Sequence, residues 1–317
     1  MYLCAEMGMI GGLAVELYID ESRAGKSVFD ILRRELGFSG RMLTRLKQDE
    51  QGILVDGERV TVRFRLTQGQ CLAVAVDDRA GADHIQPVDL PLDLICTDDD
   101  FFAVNKPPAM PTHPSHGHYD DTLANALAYH CASAGIPFVF RSVNRLDRNT
   151  SGVVLVARNQ PAAARLAAAM QAGEFDKRYL AILDGELSPD AGELSAPIRR
   201  TAESIITREV CAEGEGDFAL TRWRVLARGR GRTLVEAAPV TGRTHQLRVH
   251  FAYLGCPIHG DDLYGRAADD LDRQALHAFS LTFPHPSQRR PVRLTAPLPD
   301  DLRTCITASF GKDICLL

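Results

Sequence analysis

Asp147 stands between Arg145 and Arg148 in the segment Ser-Val-Asn-Arg-Leu-Asp-Arg-Asn-Thr-Ser-Gly at 142–152. A carboxylate kept ionised by guanidinium neighbours suits a nucleophile or a general base. An aromatic and β-branched run, 137–143, precedes it, and an apolar run, 153–157, follows. Runs of that kind predict buried strands, which would hold the acid at the rim of a sheet. Asp-x-x-Thr is also an ordinary turn or cap pattern, because Asp side chains bond nearby backbone N–H groups. Other segments of the chain decide between the two.

Asn105-Lys106-Pro107 is followed by His113-Pro114-Ser115. Next comes Lys177-Arg178-Tyr179-Leu180-Ala181. The run Thr-Gly-Arg-Thr-His-Gln-Leu-Arg-Val-His at 241–250 is continued by Gly255, Pro257, Ile258, Gly260 and Asp261. In order and spacing these segments, with 142–152, resemble the RluA family of RNA pseudouridine synthases over nearly all of residues 94–300. The resemblance implies that uridine in RNA is isomerised to pseudouridine. The bond from sugar to base nitrogen breaks, the base turns, and it rebonds through carbon five. No atom enters or leaves and no redox change occurs, so no cofactor or metal is expected.

The resemblance makes Asp147 the catalytic residue. Attack on the anomeric carbon and removal of a sugar proton both remain open to it. Tyr179 would stack on the flipped uracil and serve in deprotonation of carbon five. Arg248 would be the partner of Asp147. Arg145 would fill the gap left by the flipped nucleotide or hold a phosphate. Arg243 and His245 would order the loop before a helix. The family motif usually begins with His; Asn144 stands there, with a donor and an acceptor but no charge. That departure bears on RNA contact more than on the chemistry. The rival reading is a non-catalytic RNA-binding or ribosome-assembly protein that retains the fold; such a protein has no need of Asp147. A hydrolase that releases free base is a second rival, separated by its product.

The elements that must position these residues are mostly strands: 101–104, 153–157, 179–183, 219–227 and 233–238. Asn159 caps an alanine-rich helix at 161–171 that Gly173 ends. A second helix, 244–254, stops at Gly255. Strands without regular βα alternation predict an α+β domain with a mixed, mainly antiparallel sheet, at 93–305.

A smaller unit is predicted at 13–80, joined by a linker at 81–92. Val28, Ile31, Leu32 and Leu36 recur at helical spacing up to Gly37. Ser39 can cap a second helix carrying Met42, Leu43 and Leu46 inward and Arg41 and Arg45 outward, with Lys47 after them. Asp56-Gly57 predicts a hairpin after 53–55. The return strand alternates Val60, Val62, Phe64 and Leu66 with Arg59, Thr61, Arg63 and Arg65. This pattern resembles the RNA-binding module of the ribosomal protein S-four type. The resemblance implies that Arg41, Arg45, Lys47, Arg63 and Arg65 meet RNA phosphates. Asp49, Glu50 and Glu58 dilute that patch.

The whole chain sets limits. Its 317 residues suit two domains. Hydrophobic content of 45% and charged content of 24% are those of an ordinary globular protein. A net charge of -5 excludes a uniformly basic coat, so RNA, ribosomal or transfer, would be met by local patches. No run of about eighteen apolar residues predicts a membrane span, and the first thirteen residues read as a ragged terminus and not a signal peptide. Eight cysteines without a Cys-x-x-Cys pair suggest reduced thiols and a cytoplasmic protein. His113, His116 and His118 read as loop-shaping residues and not metal ligands. No protein partner is evident.

Overall fold

A computed structural model describes residues 14–36, 38, 40–75 and 85–311. Gly37 and Ser39 lie outside the described residues, as do the side chains of Arg41, Met42 and Arg45. Residues 17–74 share a core of their own, built on Leu17, Val28, Ile31, Leu32, Leu46 and Leu72 among others.

In this small unit a sheet has the order β1-β4-β2-β3. Its strands are β1 (Ala14–Tyr18), β2 (Ile53–Val55), β3 (Glu58–Arg59) and β4 (Cys71–Ala75). Asp56 and Gly57 both take positive φ, 51° and 85°, as a tight two-residue hairpin requires. Helix α1 (Val28–Asp30) runs into a π-helical turn, Ile31–Glu35, and α2 spans Gly40–Gln48.

The predicted return strand is mostly absent. Only Glu58–Arg59 pairs as a strand, and a turn follows in which Phe64 N–H donates to Thr61 O. The reason lies at α1. Its first N–H groups have no partner within the helix. The carbonyls of Phe64 and Val62 accept from Val28 and Phe29, 2.9 and 2.8 Å away. Capping that helix outweighs continuing the strand, and Phe64 ends 37% exposed.

The rest of the chain forms the expected α+β unit. Among the described residues its main sheet has nine strands in the order β5-β6-β7-β14-β8-β13-β12-β9, with β15 paired to β14. They are β5 (Leu94–Thr97), β6 (Phe101–Lys106), β7 (Ser151–Ala157), β8 (Asp176–Asp184), β9 (Ala191–Ser195), β12 (Leu220–Gly229), β13 (Arg232–Pro239), β14 (Leu276–Pro284) and β15 (Pro291–Thr295). A separate hairpin pairs β10 (Ile198–Arg200) with β11 (Arg208–Val210). Helix α3 (Leu123–Ser133) covers one face of β6 and β7, and α4 (Gln160–Gln171) the other. Every residue of β7 is therefore buried, and its apolar run shows no alternation. Asn159 caps α4 as predicted, accepting from Ala162 N–H at 2.8 Å. Helices α5 (Gln246–Tyr253) and α6 (Asp300–Phe310) pack on β8 and β13. Residues 85–92 carry Leu90 and Leu92 onto the α3 core.

All pairings in the main sheet are antiparallel except β7 with β14. That parallel contact spans only His277–Ser151 and Ala278–Gly152. Gly152 makes it possible. At φ 119° a Cβ there would stand 2.2 Å from Ala278 O. Beyond Gly152 the two strands part, leaving an edge of β7 uncovered. Residues 141–144 fill it: Val143 N–H donates to Leu155 O and Ala157 N–H to Arg141 O, both at 2.8 Å. The aromatic run 137–143 is thus not the strand expected. It forms one isolated bridge, Ser142 to Val156, and buries Phe138 and Phe140 against α3.

Candidate active site

The chain turns from that plug back into β7 through residues 145–150, so Asp147 is held at the split in the sheet. Asn144 fixes the turn. Its Nδ2 donates to Val153 O at 3.0 Å, and its Oδ1 accepts from Leu155 N–H at 2.8 Å. Both ends of the amide are spent on β7. The residue in the usual histidine position therefore acts as a backbone clamp here. Behind it, Thr112 Oγ1 donates to Leu146 O at 3.1 Å. Thr150 N–H donates to Asp147 O at 3.0 Å.

Lys106 is fully buried below the turn. Its Nζ donates to the carbonyls of Pro107, Met110 and Arg148 at 2.7, 2.8 and 3.0 Å. One ammonium ties the end of β6 to the backbone just beyond Asp147. Burial pulls Lys106 down to about 7, while the charge of Asp147 opposes that fall.

The facing wall comes from α5 and the loop before it. His245 takes a left-handed conformation, φ 58°, to start the helix. Gln246 is 4% exposed and uses its whole amide. Oε1 accepts from Thr241 Oγ1 and Arg243 N–H at 2.7 and 3.0 Å. Nε2 donates to Leu220 O and Thr221 Oγ1, both at 3.0 Å. Arg248, one helical half-turn on, is gripped from behind. Its Nε and Nη2 each reach a carboxylate oxygen of Asp261 at 2.7 Å. Asp261 is fully buried and also accepts from Leu263 and Tyr264 N–H groups. The free Nη1 of Arg248 points to Asp147 Oδ2, 3.5 Å away. His245 Nε2 stands 3.9 Å from Asp147 Oδ1, and its Nδ1 meets the Tyr264 hydroxyl at 2.8 Å. Burial lowers the pKa of His245.

Tyr179 projects from β8 into the same space. Desolvation, then the charge of Asp147, pushes its phenol well above the ordinary range, so the hydroxyl stays protonated. The pocket has a volume of about 290 Å³. Asp147, Tyr179, Arg248, His245 and Lys177 line it, and Arg145 stands at its exposed rim without an ion-pair partner among the described residues. The arrangement offers one carboxylate, one flat aromatic face and four cationic side chains, Arg145, Lys177, Arg243 and Arg248, around one space.

Asp147, Tyr179, Arg248 and Arg145 meet in one pocket. Lys47, Arg63 and Arg65 belong to a different cleft, in the small unit, which they line with Phe29 and Asp30. Arg65 is held there by Gly25 O at 2.8 Å. The side chains of Arg41 and Arg45 lie outside the described residues. Gln246 and the pairing role of Asp261 were not foreseen. Both residues lie inside motif segments, and a buried Gln or Asp near an active-site arginine is the signal that would have flagged them.

The chain belongs to the RNA pseudouridine synthases, a family of isomerases. The family model for RNA pseudouridylate synthase matches residues 100–253. Over 272 residues the chain is 37% identical to the uncharacterized RNA pseudouridine synthase YjbO of Bacillus subtilis, covering 86% of this chain and 95% of the relative. It is 35% identical over 284 residues to ribosomal large subunit pseudouridine synthase D of Zymomonas mobilis, covering 83% and 89%. Among solved structures, human RNA Pseudouridylate Synthase Domain Containing 1 aligns with a TM-score of 0.55 and 32% identity, covering 66% of this chain and 84% of that one.

Proposed function

We propose that this enzyme isomerises specific uridines in structured RNA to pseudouridine, with Asp147 as the catalytic carboxylate and no cofactor. The observation that carries the reading is Nη1 of Arg248, the one guanidinium nitrogen that Asp261 does not hold, which stands 3.5 Å from Asp147 Oδ2. Asp261 holds the other two nitrogens, so the guanidinium is fixed where it faces one oxygen of the reacting acid, with His245 Nε2 3.9 Å from the other. Tyr179 stacks on the extruded uracil; to serve at carbon five its neutral phenol must pass its own proton to a neighbouring acceptor as it takes up the carbon-five proton. Arg145 enters the space vacated by the nucleotide or meets its phosphate. The unit at 13–80 is an RNA-binding domain of the ribosomal protein S-four type, using Arg41, Arg45, Lys47, Arg63 and Arg65. A linker at 81–92 joins it to the catalytic domain at 93–305.

Large-subunit ribosomal RNA is the first choice of substrate and transfer RNA the second. Similarity to a ribosomal large subunit synthase supports that order. The enzyme works in the cytoplasm: the six described cysteines are free thiols. No helix among the described residues is long and apolar enough to cross a membrane. The test is release of tritium to water from unmodified RNA labelled at carbon five of uridine. Release by the parent chain and none by Asp147→Asn is expected. Retention of label across both RNA classes overturns the proposal.

A further inference from the structure

We propose that the turn at 204–207 is an apolar wedge that enters the RNA beside the uridine being modified, with Ile205 and Ile206 as its tip. The inference rests on the function proposed above and adds a contact to it. Ile205 is 79% exposed and Ile206 58% exposed, side by side, although the fold gains nothing from displaying them.

The turn that carries them is firmly built. Ser204 Oγ accepts the N–H groups of Ile206 and Thr207 at 3.1 and 3.2 Å. Arg208 Nη1 donates to the carbonyls of Ile206 and Thr207, both at 2.9 Å, and more weakly to Ile205 O at 3.4 Å. Thr201 N–H closes the loop on Thr207 O at 3.2 Å. Turning the carbonyls inward onto one guanidinium forces the isoleucine side chains outward. The arrangement holds a hydrophobic tip in water and denies it the freedom to fold back.

Its position gives the tip a purpose. The foot of the turn is Arg208, whose N–H donates to the Tyr264 hydroxyl at 2.9 Å. The same hydroxyl meets His245, which faces Asp147. The hairpin β10–β11 that bears the turn is anchored through Ile198 and Val210 onto Val249 of α5, the helix that carries Arg248. The hairpin that bears the wedge and the helix of the pocket wall therefore share one packed cluster. Around the tip, Arg200 is exposed and unpaired among the described residues, and Glu203 is the acid within the turn; Arg199 is taken by Glu209 and Glu215. Arg145 stands free on the pocket rim. A nucleic acid whose phosphates meet Arg145 and Arg200 presents base edges and faces to the isoleucines. Apolar side chains enter base steps in this way, at the cost of local unstacking. A nucleotide swung out for reaction leaves such a step already disturbed.

The test is the double variant Ile205→Ser/Ile206→Ser, measured for binding to large-subunit ribosomal RNA and transfer RNA transcribed without modification. Affinity for the preferred RNA should fall about tenfold, the scale of two partly buried aliphatic side chains. The slope of log affinity against log salt should not change, because no cation is lost. The thermal midpoint should hold, and Ile205→Leu/Ile206→Leu should restore binding. Unchanged affinity overturns the wedge. So does a loss accompanied by a flatter salt slope, and so does loss of self-association in light scattering with RNA binding intact. Because binding is read apart from chemistry, a parent chain that binds RNA but releases no tritium defeats the function proposed above while the wedge is still decided.

Discussion

The pocket around Asp147 and the cationic cleft of the small unit both present positive charge, but they hold it in opposite ways. Arg248 keeps only 8% of its side chain exposed and is locked by a fully buried carboxylate. Lys47, Arg63 and Arg65 are exposed, and Arg65 donates to the backbone at Gly25 O. The difference fits the roles proposed for the two regions. A reacting carboxylate needs a cation already in place, since reorganising charge during the reaction raises the barrier. Phosphates that slide or shift register need hydrated cations that adapt, which cost little to desolvate. Changes in the two regions should therefore show in different measurements, and the sizes should differ.

Asp147→Asn should have the largest effect. Tritium release should fall by about 10⁴-fold or more, the scale of losing a nucleophile or base. RNA affinity should stay within about 1 kcal/mol if the acid acts in the transition state. A matched fall in affinity would show that the carboxylate serves binding, and the contrast between the regions would fail. Asp261→Ala comes next and reads in stability as well as rate. It leaves Arg248 buried with only the longer 3.5 Å contact to Asp147, which should cost about 3 kcal/mol in chemical denaturation. A loss under about 1 kcal/mol would mean that the guanidinium is freer than its two 2.7 Å bonds indicate.

The seam of the sheet gives a pH signature. His277 is fully buried, bonded through Nδ1 to Ser151 at 2.9 Å, and burial pulls it down to about 4. Folded, it stays neutral where the unfolded chain takes up a proton, so stability falls as pH drops from about 6.5 to about 4. The loss should reach about 3 kcal/mol. His259 works in the other direction. Hydrogen bonding to Cys305, and to Asp270 and Asp184, raises it to about 9 against the cost of burial, so its contribution fades as pH climbs through that value. Urea midpoints from pH 4 to pH 10 should peak between the two. His277→Asn should flatten the acid side alone.

The same contrast governs what could be read from the sequence. The residues that line the Asp147 pocket were legible, because several motif segments in one order and spacing have few alternative explanations. The helix cap at Asn159 and the hairpin at Asp56-Gly57 were legible because they depend on neighbours in the chain. Residues 137–143 and 59–66 were misread for one reason. Both have strand composition, but whether such a run pairs depends on which edge is free, and that is settled elsewhere: by the parting of β7 and β14 beyond Gly152, and by the bare N-terminus of α1. Gln246 and Asp261 were silent because their value lies in geometric saturation, four bonds for one and four for the other, which residue type does not reveal.

The smallest expected effect tests the loosely held side of the comparison. Lys47→Gln, Arg63→Gln and Arg65→Gln together remove three exposed cations. Released counterions should fall in step, reducing the salt slope of RNA binding by roughly 2 to 3. Folding stability should change by only about 0.5 kcal/mol, as for most surface substitutions. Release of tritium from saturating RNA should be untouched, because none of the three lines the Asp147 pocket. An unchanged slope would mean that these cations face only water. A fall in the saturated rate would mean that the small unit helps to present the uridine as well as to hold the RNA, and that the two kinds of positive charge work together on the substrate.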